Sequence, residues 1–250
     1  SWGVEPAAVV GHSLGEYAAV YVAGVLTLEE AIEAVCTRGR LMHRLTGQGG
    51  MLAAELNVDQ AREMIAGMSG RMSLAAWNSP VSTVFSGGLR EISEIASGLE
   101  ASGVFCRQLK VDVACYSFQM EQIAPDLLDA LSSLKPCPEK ISIYSTVTGK
   151  RISGTEFDAH HWVRNLQSCV MFAPLIDDML AAGHSAFLEV SPHAVLLAPI
   201  RQTAQAKNCQ VRALASLNRD QGGISVSLRS LGDLYAAGFP VDWTRLFPSG

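Results

Sequence analysis

Residues 7–24, AAVVGHSLGEYAAVYVAG, decide how the chain is read. Val9 and Val10 close a short apolar run that meets Gly11-His12-Ser13-Leu14-Gly15, and the small and apolar residues that follow suit a buried helix ended by Gly24. The order is strand, tight turn, helix. Gly-x-Ser-x-Gly in that setting is the pattern of a nucleophile elbow, in which the glycines allow a sharp turn that lifts the serine hydroxyl clear of the sheet. Ser13 is then expected at a helix N-terminus, where the macrodipole and the N–H of Leu14 favour the oxyanion of a tetrahedral intermediate. The flanking strand and helix distinguish this match from a glycine-rich turn with an incidental serine.

Working outward, Thr27-Leu28-Glu29-Glu30 has the form of a capping box and opens a helix to about Leu45, with Ile32, Val35, Cys36 and Leu41 as its apolar positions. A glycine-rich turn, 47–50, follows. The next stretch reads as strand 51–56, a helix capped by Asn57 and running to Gly67, strands 73–77 and 81–86 across an Asn78-Ser79-Pro80 turn, helix 89–102 and strand 104–110. That β-α-β-β-α-β order is ferredoxin-like, so residues 52–112 are expected to form a subdomain inserted in an α/β-hydrolase-like body of residues 1–51 and 113–215. A helix at about 120–133, a strand at 141–144, helices near 158–166 and 172–182, and a strand at 186–190 running into Ser191-Pro192-His193 restore the alternation of a parallel α/β sheet. A last helix, 223–237, precedes a tail read as irregular.

Hydrophobic residues make up 48% and charged residues 17%, enough apolar surface for a substantial core, which excludes disordered and collagen-like chains. With 19 Lys+Arg against 24 Asp+Glu, the net charge of −5 leaves no basic surplus to neutralise phosphates, so no nucleic-acid partner is expected. No run nears the ~20 apolar residues of a membrane helix, and the N-terminus lacks the charged flank and cleavage site of a secretion signal. The chain is read as soluble, with no membrane partner. Its six cysteines, at 36, 106, 115, 137, 169 and 209, form no Cys-x-x-Cys pair and no zinc spacing with histidine. No metal is expected, and the cysteines read as small reduced core residues, which points to the cytoplasm.

A serine is a poor nucleophile without a base. The chain offers His12, His43, His160, His161, His184 and His193. His12 adjoins Ser13 in sequence, which makes direct proton abstraction awkward and leaves it an orienting role, and each of the others is more often a surface or capping residue than a catalytic one. Arg38 lies in a stretch of small and apolar residues, where a guanidinium can meet a substrate carboxylate through two parallel hydrogen bonds and select diacid substrates. The alternative is that Arg38, Arg40 and Arg44 are the solvated last turns of a helix, favoured by its C-terminal dipole.

With these residues in hand, the chain resembles the acyltransferase domain of a modular type I polyketide synthase, a relative of malonyl-CoA:acyl-carrier-protein transacylases. The matching segments, GHSLGEYAA (11–19), TRGRLM (37–42), GGMLAA (49–54), AAWNSPVSTVFSG (75–87), VDVACYSFQM (111–120), WVRNLQSCVMF (162–172) and FLEVSPHAVL (187–196), span nearly the whole sequence. The resemblance implies a ping-pong transfer in which Ser13 takes a malonyl-type unit from coenzyme A and passes it to the phosphopantetheine thiol of an acyl carrier protein. Arg38 then corresponds to the arginine that holds the extender's free carboxylate, Met42 lines the same pocket, and the N–H of Leu14 is one half of the oxyanion hole. No cofactor of the chain's own is implied: the coenzyme A thioester is substrate, and the phosphopantetheine belongs to the carrier protein. Residues 216–250 resemble the linker that follows such domains, which implies neighbouring synthase domains as partners and a chain cut from a larger polypeptide. The family also has a Gly-Gln-Gly-type segment well ahead of the elbow. With none before Ser1-Trp2, part of the sheet and half of the oxyanion hole are expected to be missing, a loss of ~3 kcal/mol in transition-state stabilisation.

The family's general base departs from its pattern here. Members carry His-Ala-Phe-His or Tyr-Ala-Ser-His, whereas this chain has Val113-Ala114-Cys115-Tyr116, so Tyr116 stands where the catalytic histidine is expected. A phenol, with an ordinary pKa of ~10, is a poor proton acceptor at pH 7, and loss of a positioned base costs on the order of 10²- to 10⁴-fold. Impaired transfer is therefore expected. His193, at a strand end and a helix start, is a candidate surrogate base; a helix-capping role is the plainer account of it. The Leu in GHSLGE favours malonyl-CoA, whereas the small Cys115 leaves room for the α-methyl of methylmalonyl-CoA, and one methyl is worth only ~1–3 kcal/mol. Two other functions fit the same residues: an inactive scaffold domain, and a serine hydrolase that cleaves thioesters.

Overall fold

The computed structural model describes residues 3–247. Strand β1 (Ala8–Gly11) turns at Ser13 into helix α1 (Gly15–Val22), which ends at Gly24 with φ +73°, a conformation open to glycine at little cost. Helix α2 (Leu28–His43) begins with the capping box expected from the sequence: Glu30 N donates to Thr27 Oγ1 at 3.2 Å and Thr27 N donates to the Glu30 carboxylate at 2.8 Å. Its inward face follows the apolar residues only in part: Leu41 is buried and Val35 packs against the core. Ala31, Ala34, Arg38 and Leu41 are buried, whereas Ile32 and Cys36 are exposed, so small side chains and one arginine pack inward.

Strand β2 (Gly50–Ala54), helix α3 (Val58–Ile65), strands β3 (Met72–Ser79) and β4 (Ser82–Gly87), helix α4 (Leu89–Ala101) and strand β5 (Cys106–Gln108) follow. The strands pair antiparallel in the order β5-β2-β4-β3, the arrangement of a ferredoxin-like unit, with Leu52 opposite Phe85. Phe85, Ile92 and Leu99 from the sheet and α4 close a core beneath it.

Beyond β5, the helix expected over 120–133 is divided into a 3-10 turn (Phe118–Gln122) and helix α5 (Ala124–Ala130). Pro125 lies in the first turn of α5, where its missing N–H and fixed φ start a helix but cannot continue one. Strands β6 (Ser142–Ser145) and β7 (Lys150–Arg151), a 3-10 turn (Gly154–Glu156), helix α6 (Ala159–Gln167), strand β8 (Val170–Met171) and helix α7 (Phe172–Ala181) come next. β1 pairs parallel with β6, which places the ends Gly11 and Ser145 side by side, and β7 adds an antiparallel edge. Val20, Leu127, Ile143, Phe157, Trp162 and Leu166 fill the core against α1, α5 and α6. β8 pairs parallel with β3 and gives the ferredoxin-like sheet a fifth strand.

These elements through Asp178 form one compact unit, Ala8–Asp178; the described residues before Ala8 and from Met179 onward form a second. That division is drawn elsewhere than the expected boundaries at 52, 113 and 216. The second unit contains strand β9 (Ala186–Glu189), helix α8 (Leu197–Ala206), strand β10 (Arg212–Ala215) and helices α9 (Gly223–Ala236) and α10 (Trp243–Leu246), with β9 and β10 parallel. The tail read as irregular contains α10, capped where Thr244 N donates to Asp242 Oδ1 at 3.1 Å; residues 248–250 lie outside those described. Among the described residues no helix is long and apolar enough to cross a membrane. The reading of the cysteines as core residues is not upheld: Cys36, Cys137 and Cys209 are exposed, Cys106, Cys115 and Cys169 are partly buried, and all six are free thiols.

Candidate active site

The elbow requires one glycine rather than two. A Cβ on Gly11 would stand 2.0 Å from the backbone N of Glu16, whereas a Cβ on Gly15 would meet nothing within 4 Å. The chain turns so tightly that Ser13 adopts φ +60°, left-handed backbone that costs a non-glycine residue on the order of 1–3 kcal/mol and is found mainly where the surroundings impose it. Gly15 N donates to His12 O and Glu16 N to Ser13 O, both at 3.0 Å, so α1 starts directly behind the serine. Leu14 caps the helix with its side chain 53% exposed, and its N–H stands ahead of the first turn, where helix donors lack intrahelical acceptors.

Tyr116 meets this serine across 103 positions of sequence, with its hydroxyl hydrogen-bonded to Ser13 Oγ. Tyr116 is buried and also left-handed, at φ +59°. Arg38 reaches the same hydroxyl: its Nη2 donates to Tyr116 Oη at 3.4 Å, and its guanidinium carbon lies 5.9 Å from the centre of the Tyr116 ring. Nη1 donates to Asn165 Oδ1 at 2.6 Å and Nε lies 3.4 Å from Met42 Sδ. Arg38 is 1% exposed whereas Arg40 and Arg44 are exposed, which removes the account of Arg38 as part of a solvated last turn. Burial opposes its charge, but the neighbouring oxygens of Tyr116 and Tyr17 outweigh this and hold its pKa above the ordinary value. Tyr17, stacked on Trp162 at 3.9 Å, is pushed up to about 12 by burial, with Arg38 pulling partly back. Burial likewise raises the thiol of Cys115, which packs with Met42 on the core under α2.

Beneath the elbow lies a polar hub that sequence patterns did not reveal. Glu16 is 1% exposed, and its Oε1 accepts from Ser145 Oγ (3.2 Å), Thr146 N (2.5 Å) and Thr146 Oγ1 (2.6 Å). Its Oε2 accepts from His161 Nε2 (2.8 Å) and Asn165 Nδ2 (3.1 Å). One carboxylate thus joins α1, the end of β6 and helix α6, and through Asn165 it reaches Arg38.

The histidines fall into distinct settings. His12 Nε2 is 2.8 Å from Asn78 Oδ1 of β3, and its ring lies edge-on to Phe172 at 5.3 Å, so it ties the elbow to the ferredoxin-like sheet. His161 is committed to Glu16. His193 lies in the second unit, ahead of α8 rather than at its start, with Nδ1 3.1 Å from Asn218 Oδ1, so it caps no helix. Among the described residues no group of three His, Cys, Asp or Glu is placed to hold a metal ion. Ser13, Leu14, Tyr116, Arg38 and Met42 are brought together, with Cys115 next to Tyr116 in the chain and His12 braced at the side.

The family model described as the acyl transferase domain matches residues 1–240. The chain belongs to that family. This acyl transferase domain is 42% identical over 247 residues to the polyketide synthase GfsB of Streptomyces halstedii, covering 98% of the chain but 4% of the relative. It is 39% identical to the erythronolide synthase EryA2 of Saccharopolyspora erythraea over 250 residues, covering 99% of the chain and 7% of that protein. It therefore spans a small fraction of the length of the synthases it matches. Among solved structures, the acyltransferase domain from module 8 of the salinomycin polyketide synthase superimposes with a TM-score of 0.93 at 39% identity, over 96% of this domain and 57% of that chain. The α/β fold read from the sequence is the fold of these acyltransferase domains.

Proposed function

We propose that this domain transfers a malonyl-type acyl group from coenzyme A to the phosphopantetheine thiol of an acyl carrier protein through an ester on Ser13, and that Tyr116 makes the transfer slow. The juxtaposition of Ser13 with the buried Arg38 carries this reading. Both side chains bond the same Tyr116 hydroxyl, so a nucleophile and a fixed cation stand one small group apart. A malonyl thioester has its carbonyl and its carboxylate separated by one carbon, which suits attack by Ser13 while Arg38 holds the far end.

In the first half-reaction Ser13 Oγ adds to the thioester carbonyl, its proton passes to a base, and the oxyanion is held by the Leu14 N–H at the start of α1. Collapse expels the coenzyme A thiolate, which takes up the proton, and the carrier thiol later reverses the sequence on the ester. Tyr116 is the side chain against the serine hydroxyl, and a phenol accepts a proton far less readily at neutral pH than an imidazole. Met42 and Cys115 would border the extender's α-substituent, and Cys115 leaves room for the methyl of methylmalonyl-CoA. Residues 216–250 would serve as the linker to neighbouring synthase domains, in a cytoplasmic assembly. The SpnD acyltransferase domain has been solved as a complex with 2-(pent-4-yn-1-yl)malonyl; this domain is 28% identical to it with a TM-score of 0.86, over 94% of this chain and 57% of that one.

Intact mass after incubation with malonyl-CoA or methylmalonyl-CoA tests the proposal. Acyl mass on Ser13 should accumulate slowly in the natural sequence, about 10²- to 10⁴-fold faster in Tyr116→His, and not at all in Ser13→Ala. Equal rates with tyrosine and histidine would refute impairment. Rapid release of free malonate would mark a hydrolase, and a folded chain that gains no mass in any form would mark a scaffold domain.

A further inference from the structure

The Glu16 hub invites a question about Asn165, a residue that touches Arg38 and no nucleophile. An amide side chain presents an acceptor at one end and two donors at the other, and which end faces which neighbour is set by the neighbours. Both oxygens of the Glu16 carboxylate face donors. Its Oε2 therefore draws the Asn165 NH₂, at 3.1 Å, and the opposite end must present oxygen to Arg38 Nη1, at 2.6 Å. Glu16 is itself held by Thr146 and His161, and Glu16, Asn165 and His161 are all 2% exposed or less, so no water-filled space lets the amide turn over.

We propose that Asn165, locked in one amide orientation by Glu16, is a positioning residue that aims the Arg38 guanidinium at the carboxylate of the incoming acyl group. Asn165 occupies Nη1 and leaves Nη2 directed at Tyr116 Oη, beside Ser13. A five-donor fork on a flexible side chain is thereby fixed in one plane by a neutral acceptor. Neutrality matters: an aspartate in the same place would neutralise the cation that the substrate needs. The inference rests on the acyltransferase reading of Ser13 and Arg38 and adds a device for selecting carboxylated acyl groups.

Binding to the Ser13→Ala chain, which cannot be acylated, separates positioning from turnover. Titration calorimetry with malonyl-CoA and with acetyl-CoA, which lacks the carboxylate, gives two dissociation constants for each variant. Adding Asn165→Ala should weaken malonyl-CoA binding about tenfold and leave acetyl-CoA within twofold, a loss of about 1.4 kcal/mol confined to the carboxylate. Asn165→Asp, which keeps the acceptor but adds a charge, should erase the preference for malonyl-CoA. Glu16→Gln, which frees the amide to turn over, should reproduce part of the Asn165→Ala effect and serves if either Asn165 variant fails to fold. Equal weakening of both ligands, or of neither, would overturn the proposal. Arg38→Ala distinguishes the two levels: if it abolishes the malonyl preference while the Asn165 variants keep it, positioning alone fails, and if it leaves the preference intact, the acyltransferase reading fails with it.

Discussion

Removing the Glu16 carboxylate should destabilise this domain more than any other single change to a polar side chain near the elbow. Glu16→Ala strands the Thr146 N–H, the His161 Nε2–H and the Asn165 NH₂, all buried and all donating to that carboxylate in the native structure. A stranded buried donor costs about 1–3 kcal/mol. Because the three donors share one small space and relax together, the lower part of their sum applies, and we expect about 3–5 kcal/mol. For a unit the size of Ala8–Asp178, each kcal/mol lowers Tm by about 2–4 °C, so the variant should melt about 6–20 °C lower. Glu16→Gln should cost less, about 1–3 kcal/mol, because the amide oxygen can still serve Thr146 and His161 can exchange tautomers to accept from the new NH₂. Urea denaturation followed by circular dichroism, with melting curves alongside, gives both values. A loss below about 1 kcal/mol in Glu16→Ala would show that the hub carries no weight, and the reasoning from buried hydrogen bonds would fall with it.

Two more outcomes are expected. Gly11→Ala should abolish folding, because its Cβ would overlap the backbone at Glu16, whereas Gly15→Ala should be neutral or raise stability by up to about 1 kcal/mol from helix propensity; paired melting curves decide, and equal behaviour of the two would refute the elbow geometry. Tyr17, whose pKa is raised from 10.0 to about 12, keeps its proton when folded and loses it when unfolded. Its contribution is therefore whole below pH 10 and lost as the pH rises toward 12, on the order of 2 kcal/mol in all. Absorbance at 295 nm should show one tyrosine that resists ionisation until that range, and Tyr17→Phe should flatten the alkaline fall in stability; an unchanged pH profile would refute the burial argument.

Sequence alone disclosed what is encoded over short spans. The capping boxes at Thr27 and Asn57 were legible because donor and acceptor lie within three residues, and the ferredoxin-like order because strand and helix periods alternate plainly from 51 to 110. Strands β7 and β8, two residues each, have no period to read. Helix α8 was hidden by Pro199 in its first turn and by a run of Gln and Thr, and β10, Arg-Ala-Leu-Ala, by its lack of β-branched and aromatic residues. Ser13, Arg38 and Tyr116 could be picked out: the first from a motif, Arg38 from a guanidinium in a small and apolar stretch and then from resemblance, and Tyr116 from resemblance alone. Glu16, His161 and Asn165 could not be joined, since their contacts cross 145 and 149 positions and arise only when α6 packs against α1. Cysteine composition misled for a related reason: the helical stripe that faces inward on α2 runs through Ala34, Arg38 and Leu41, and Cys36 falls off it.

The fifth strand of the ferredoxin-like sheet has a practical consequence for engineering. β8 is supplied from residues 170–171, far along the chain from the rest of that sheet, and Met171 N donates at 2.7 Å to the carbonyl of Thr146, the residue whose N–H grips Glu16. A chimaera that exchanges only residues 50–108 between synthases would therefore graft four strands onto a foreign fifth, at a seam one hydrogen bond away from the support of the Ser13 turn. Moving 168–172 together with that block keeps the seam native, and recovery of soluble protein from the two kinds of hybrid would show whether the boundary has been drawn in the right place.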